Sequence, residues 1–169
     1  MNEAKYLGSM MSRECTDNTD VDARIAAVSR AFGALSKFVF KSRSTSLPAK
    51  RAAYVALVLS ILLYGSECWC LTARLWQKLR TFHRSCTRAM CKINIWHTWK
   101  CRITAASVSQ RLGLKSLETY VVKRQLQWAG HVARMEKHRL PRKLLTAWCH
   151  NARPSGRPEC TCVEGLRLN

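Results

Sequence analysis

The sequence has few acidic side chains, few glycines and prolines, and no apolar run long enough to cross a bilayer. Ten Asp and Glu oppose 29 Lys and Arg, and only seven glycines and four prolines occur among 169 residues. Such a composition excludes a collagen-like or low-complexity chain, and 47% hydrophobic residues exclude a disordered one. The longest apolar run, Ala52 to Tyr64, spans about 20 Å as a helix, against roughly 30 Å of bilayer core. We therefore expect it to be a buried core helix.

The excess of positive charge is concentrated in the body of the chain. Residues 1–22 hold two basic and five acidic side chains, whereas residues 23–158 hold 26 basic and three acidic ones, a net charge of +23. A folded body with this charge repels itself, and a polyanion relieves the repulsion. Nucleic acid, whether RNA or DNA, is therefore the leading predicted partner. An anionic membrane surface ranks second and requires the 52–64 helix to be exposed, so we expect no membrane partner.

Carboxylates suited to catalysis are also lacking. No pair of acidic residues has the spacing of two-metal polymerase or nuclease chemistry, because the acids cluster near the N-terminus or stand singly. We therefore expect no catalysis by this chain alone and no cofactor.

The nine cysteines are odd in number, most lie in apolar helical patterns, and no secretory signal opens the sequence. These features favour reduced thiols in a nuclear or cytoplasmic protein that is not secreted.

Two cysteine arrangements have both a chemical and a structural interpretation. Cys86, Cys91, His97 and Cys101 follow the ligand order of a zinc knuckle, but the first two project about 140° apart on a helix, so we expect no metal. His83, three residues before Cys86, is a candidate base for a thiol nucleophile. An amphipathic helix produces the same spacing, and we favour that interpretation.

Hydrophobic periodicity predicts an all-α fold of five or six helices, with a short extended N-terminal segment and a flexible C-terminal tail. The predicted helices run from a cap at Asp20 or Asp22 to about Phe40, from Pro48 to Gly65, from a cap at Thr72 to about Lys92, from Ala105 to Leu112, from a cap at Ser116 to about Met135, and from Leu140 to Trp148.

Two of these helices each combine an apolar stripe with a basic face. Leu117, Val121, Trp128, Val132 and Met135 are predicted to point inward. The basic positions, predicted to contact nucleic-acid phosphates, are Arg74, Lys78, Arg84, Arg88 and Lys92 on the first helix and Lys123, Arg124 and Arg134 on the second. Solvated helix faces are the alternative. Four aromatic residues could stack on bases, but their helical spacing favours core positions; they are Tyr54, Trp96, Trp99 and Trp148.

Several segments, taken in order, resemble the reverse transcriptases of LINE-type (non-LTR) retrotransposons downstream of the catalytic palm. Residues 5–9 are similar to the family's primer grip, residues 62–69 to its Leu-Tyr-Gly-x-Glu-x-Trp box, and residues 125–135 to its Leu-x-Trp-x-Gly-His-Val-x-Arg-Met box. Residues 99–105 depart from the Trp-x-Asp-Arg-Ile-x-Asn pattern of many members. The matching positions are Tyr6, Leu7, Gly8, Tyr64, Gly65, Glu67, Trp69, Trp128, Gly130, His131, Arg134 and Met135.

The resemblance implies a thumb and C-terminal extension that bind a template–primer duplex or RNA/DNA hybrid, without the palm and fingers of the RNA-directed DNA polymerase. The missing palm and fingers are then further expected partners, and the chain is expected to be the terminal piece of a longer reading frame. We accordingly divide it into a primer-grip-like segment and loop (1–19), a thumb-like helical bundle (20–95), a helical extension (96–148) and a basic Pro/Gly tail (149–169). The alternative function is a helical adaptor whose basic surface engages an acidic protein partner.

Overall fold

The protein folds mainly as α-helices, as predicted. The structure is a computed structural model and describes residues 3–6, 8–13 and 16–146. Strands β1 (Glu3–Tyr6) and β2 (Ser9–Ser12) form an antiparallel hairpin ahead of the helices. The helices are α1 (Asn18–Leu35), α2 (Leu47–Ala53), α3 (Ser60–Leu62), α4 (Ala73–Met90), α5 (Ile95–Lys100), α6 (Ala105–Leu112), α7 (Leu117–Arg134) and α8 (Leu140–Thr146).

Three short irregular helical segments complete the chain path. A π-helical turn at Ser36–Phe40 extends α1, and a second one at Tyr54–Leu59 joins α2 to α3. A 3₁₀ turn at Ser66–Cys68 follows. When α2 to α3 is counted as one helix, the described residues contain seven helices. The helix that the sequence did not predict is α5.

Local signals set most helix ends where the sequence predicts them. The Thr72 and Ser116 hydroxyls accept hydrogen bonds from the backbone N–H groups three residues on and so cap α4 and α7. Pro48 lies in the first turn of α2. Gly65 (φ 80°) and Gly113 (φ 65°) adopt the left-handed conformation that ends a helix. These predictions are confirmed.

The predicted cap of the first helix is wrong. Helix α1 begins at Asn18, so Asp20 and Asp22 lie inside its first turns rather than before it. Asp20 is buried, and its carboxylate accepts hydrogen bonds from two distant groups, the Met10 N–H (2.8 Å) and the Trp69 indole N–H (3.0 Å). Because both partners are far away in the sequence, local capping rules cannot find this role.

One apolar core joins the helices. Buried side chains from Val21 on α1 to Val121 on α7 form a continuous cluster, to which residues of both predicted helical regions contribute. The Ala52–Tyr64 segment is buried on one face only, because Val55 and Leu57 are exposed, which corrects the expectation of a buried helix. None of the described helices combines the length and the apolarity that a bilayer crossing requires.

The Asp20 carboxylate lies at the junction of the hairpin, α1 and the segment after α3. Arg24, one turn further along α1, forms an ion pair with Asp20 (Nε–Oδ1 3.7 Å) and donates from Nη2 to the Gly8 carbonyl (2.6 Å). Its guanidinium also stacks on the Tyr64 ring, 4.5 Å from the ring centre. Buried polar groups are costly unless they are paired, so these contacts fix three segments relative to one another.

We expect the substitution Asp20→Ala to lower the free energy of unfolding by about 2–4 kcal/mol, because it leaves a backbone N–H and an indole N–H without an acceptor. Chemical denaturation followed by circular dichroism measures the loss. Asp22→Ala, two residues away, is the matched control: Asp22 is exposed and pairs with Lys78, so its loss should cost at most about 1 kcal/mol. Equal costs for the two variants would contradict the role of Asp20.

Candidate nucleic-acid interface

The outward face of α4 carries the clearest group of free cations. Leu75, Leu79 and Met90 of this helix are buried in the core, whereas Arg74 and Arg84 are exposed and Arg88 is half-buried. The side chains of these three arginines form no hydrogen bond or ion pair with the part of the chain that the structure describes. They therefore remain available to an external anion.

Two other cations of α4 are neutralised by neighbouring helices. Lys78 donates to both carboxylate oxygens of Asp22 on α1 (2.8 Å each), and Arg80 pairs with Glu118 of α7 (2.5 Å). Burial alone raises the pKa of Glu118, but hydrogen bonds from its own N–H, from Arg80 and from Ser116 outweigh this effect and hold that pKa below its usual value. Lys78, a predicted phosphate contact, is thus already paired.

Lys92 lies beyond the helix to which the sequence assigns it. Helix α4 ends at Met90, and Lys92 adopts a left-handed conformation (φ 57°) in the turn that follows. The Ile93 N–H donates to the Arg88 carbonyl (2.9 Å), which closes this turn. Lys92 is exposed, but it belongs with α5 rather than with the regular face of α4.

The predicted cations of α7 differ in their surroundings. Lys123 is exposed beside a surface cavity of about 720 Å³, and Arg134 is exposed at the end of the helix. Arg124 is half-buried and donates from Nη1 to the Leu63 carbonyl (2.9 Å). Arg124 therefore holds α7 against the end of α3.

The eight predicted contact residues do not line one shared cavity. Arg74 and Lys78 border a groove of about 600 Å³ between α1 and α4. Arg84 borders a cavity of about 670 Å³ between α4, α6 and α7, and Lys123 borders a third depression. An extended ligand along α4 is compatible with this distribution, but a compact one that touches all eight residues is not.

The residues of the first two family-like motifs meet beside Asp20. Gly8 (φ 88°) closes the hairpin turn, and Tyr64 lies close to it. A Cβ atom at Gly65 would come within 3.0 Å of the Ser9 hydroxyl, so a larger residue does not fit there without a shift. Tyr6 is exposed on β1, whereas Trp69 is buried against Asp20. Leu7 lies outside the described residues.

The third family-like motif packs against the second. The Gln125 side-chain amide donates to the Trp69 carbonyl (3.0 Å), which joins α7 to the 3₁₀ turn. A cavity of about 390 Å³ is lined by Glu67, Arg124, Gln127, Trp128 and His131. Gly130 and Met135 lie on the same stretch of chain and are half-buried.

Trp128 does not point into the core, which corrects the prediction from periodicity. It is 39% exposed, and its ring lies 5.6 Å from the His131 ring, centre to centre. Leu117, Val121 and Val132 of the same stripe are buried, as predicted. The apolar stripe of α7 is thus narrower than the sequence indicates. The third family-like motif presents the aromatic side chain of Trp128 to the surface.

His83 and Cys86 do not form a nucleophile–base pair. The Tyr54 hydroxyl lies 2.8 Å from Nδ1 of His83, inside the core, and burial raises the pKa of Tyr54 well above its usual value. Burial also raises the pKa of the Cys86 thiol to about 12, which keeps it protonated. Tyr54 is buried, which confirms the core position favoured over base stacking.

No group of three or more metal-ligating side chains occurs among the described residues. Cys86 is buried in the core, whereas Cys101 is exposed just after α5. Trp96 and Trp99 are exposed on α5, and Trp148 lies outside the described residues. Of the candidate stacking residues, only those of α5 are therefore seen at the surface.

Comparison with known proteins yields one relevant similarity. The chain is 26% identical over 151 residues to an uncharacterized transposon-derived protein of Caenorhabditis elegans, an alignment that covers 88% of this chain and 52% of that protein. The chain thus spans about half the length of this relative. No protein-family model and no solved structure matches the present chain. The similarity supports a transposon-related origin.

We expect the protein to lose thermal stability as the pH falls below about 6.5, because burial lowers the pKa of His83 in the folded state relative to the unfolded chain. The unfolded chain then binds the proton more readily than the folded chain does. The free energy of unfolding therefore decreases as the pH falls, until the pH lies below the folded-state pKa. Melting temperatures between about pH 7.5 and pH 5.5 measure the effect.

The variant His83→Gln should flatten this part of the pH profile, whatever its stability at neutral pH. His97→Gln is the matched control, because His97 is exposed on α5 and should leave the profile unchanged. A profile that His83→Gln leaves as steep as before would contradict a buried neutral imidazole.

Proposed function

We propose that this chain is the thumb and following region of a retrotransposon reverse transcriptase, which binds the phosphate backbone of a template–primer duplex and performs no chemistry alone. The observation that carries the proposal is the outward face of α4. There Arg74, Arg84 and Arg88 have no partner in the described residues, while the acids of neighbouring helices engage Lys78 and Arg80 instead.

The arrangement suits a phosphate ligand for a geometric reason. Arg74 and Arg88 are separated by about 21 Å along a helix that is packed on the core, so the cations are held at fixed intervals. Phosphates recur at regular spacing along a strand, and each neutralised phosphate releases counterions. Contacts of this kind position a duplex without reading its sequence.

The acids of the body are isolated or already engaged. Glu118 pairs with Arg80, Glu136 lies 3.3 Å from His138, and Glu67 borders the cavity that also holds Arg124. Two-metal phosphoryl chemistry needs neighbouring carboxylates, which in the proposed parent enzyme belong to the palm. The transposon-derived relative, of which this chain spans 52%, supports an origin in a larger mobile-element protein.

The test neutralises the free cations of α4 in the triple variant Arg74→Gln, Arg84→Gln and Arg88→Gln. Binding to a DNA duplex and to an RNA/DNA hybrid is measured by fluorescence anisotropy over a range of salt concentrations. For the DNA duplex we expect the slope of log affinity against log salt to become shallower by about 2 to 3, since each lost phosphate contact contributes about 0.9. Affinity should fall alike for unrelated sequences.

A matched control removes the same charge elsewhere, by Arg30→Gln, Lys37→Gln and Lys41→Gln, which are exposed on α1, on its π-helical extension and just after that extension. This variant should keep most of the salt slope. An equal loss in both variants would indicate diffuse attraction rather than a binding face. A complex with an acidic protein that survives nuclease treatment, without duplex binding, would favour the adaptor instead.

A further inference from the structure

Helix α5 exposes several large apolar side chains, two of them aromatic, to solvent. None of its six residues is buried, and Ile95, Trp96 and Trp99 are 64%, 60% and 79% exposed. Clustered apolar side chains of this size on a surface mark an interaction site more often than a solvated helix. The core positions that the sequence favours for these two tryptophans are therefore wrong.

The helix is held in place despite its exposure. Ile93 before it and Ile103 after it pack against the core cluster, and the Asn94 side chain caps it by accepting from the His97 N–H (2.7 Å). The Ile103 N–H donates to the Thr98 carbonyl (3.0 Å) and closes the turn at its end. Both indoles are therefore presented from a fixed support rather than from a loose loop.

Three cations lie on α5 or within three residues of it in the sequence. Lys100 Nζ lies 4.8 Å from the ring centre of Trp96, and Lys92 and Arg102 flank the helix. Both flanking residues adopt left-handed backbone conformations, with φ of 57° and 48°, where glycine is the least costly residue. No acidic residue occurs in the sequence between Glu67 and Glu118. The surface is thus aromatic and positively charged, without an opposing carboxylate of its own segment.

We infer that α5 with Lys92 and Arg102, here termed the α5 platform, binds single-stranded nucleic acid by stacking unpaired bases on Trp96 and Trp99. The inference rests on the proposed function and deepens it, because it assigns the unpaired strand to α5 and the duplex to α4. Aromatic faces accept any base, and neighbouring cations attract the backbone, which together give binding without sequence preference.

The charge and size of the platform favour this ligand over two others. An acidic peptide would pair with the cations but would leave two indoles without a flat partner. An amphipathic membrane helix lies in the interface with an extended apolar face, whereas α5 has six residues. Exposed indoles on a helix that carries Lys100 and is followed by Arg102 are complementary to a strand of bases and phosphates.

The two tryptophans should contribute unequally. Lys100 already covers one face of the Trp96 ring, whereas Trp99 forms no ring or cation contact within the part of the chain that the structure describes. We therefore expect Trp99→Ala to weaken single-strand binding more than Trp96→Ala does.

The test uses the full chain and a fluorescein-labelled oligothymidylate of about 20 nucleotides. We expect the double variant Trp96→Ala, Trp99→Ala to lose affinity by about tenfold or more, as the loss of one or two base–aromatic contacts implies. Quenching of tryptophan fluorescence by an unlabelled oligonucleotide should shrink in parallel. Duplex binding should change by less than about threefold, and circular dichroism should show an unchanged melting profile, because both side chains are exposed.

Phe38→Ala is the matched control, since Phe38 is 75% exposed and also lies beside a lysine, Lys37, but at the end of α1. It should bind the oligonucleotide like the unaltered chain. Unchanged oligonucleotide affinity in the double tryptophan variant would overturn the inference. Binding to phosphatidylserine vesicles that depends on both tryptophans, without oligonucleotide binding, would overturn it in favour of a membrane surface.

The two proposals fail separately. If the triple arginine variant of α4 keeps the full salt slope of duplex binding while oligonucleotide binding still depends on the tryptophans, the proposed function alone is overturned. If the triple arginine variant loses salt slope as expected while oligonucleotide binding is indifferent to the tryptophans, the α5 platform alone is overturned.

Discussion

The buried carboxylate of Asp20 is the interaction on which the arrangement of the N-terminal half depends. It accepts hydrogen bonds from the hairpin and from the Trp69 indole, and Arg24 beside it contacts both the Gly8 carbonyl and the Tyr64 ring. The hairpin itself has two strands of four residues, which is too little to be stable alone. Its position therefore derives from polar contacts with α1 rather than from a sheet.

The segment from Leu63 to Trp69 connects this polar junction to α7. Trp69 donates to Asp20 through its indole and accepts from Gln125 through its carbonyl, while Arg124 binds the Leu63 carbonyl. Buried backbone carbonyls at the end of α3 and in the 3₁₀ turn thereby obtain donors from α7. The second family-like motif thus contacts both the first and the third, and a change in it alters the support of both.

The surface charge follows from how few carboxylates the body contains. Asp22 and Glu118 neutralise Lys78 and Arg80 on the two flanks of α4, and the arginines between them keep their charge free for a ligand. The core stripe of the helix fixes the direction of these arginines. Packing and charge therefore act on opposite faces of a single element, which makes α4 both a structural and a candidate binding helix.

Local features of the chain were predictable, whereas contacts over long sequence distances were not. Caps such as Thr72 and Ser116 and the left-handed glycines depend on neighbours within four residues, so the sequence located α4, α6 and α7 closely. The role of Asp20 depends on partners 10 and 49 residues away. Helix α5 was missed because it is short and buries nothing, so it lacks the periodicity by which helices are recognised.

The π-helical segment Tyr54–Leu59 sets a requirement on chain length rather than on side-chain identity. Each π turn contains an additional residue compared with an α turn, so the segment changes the angular phase of everything that follows it. If the same number of residues formed a regular α-helix instead, Tyr64 would be rotated by about 100° around the helix axis, away from Arg24. The contact between Tyr64 and Arg24 therefore depends on the backbone geometry of Tyr54–Leu59 as much as on the two side chains that form it.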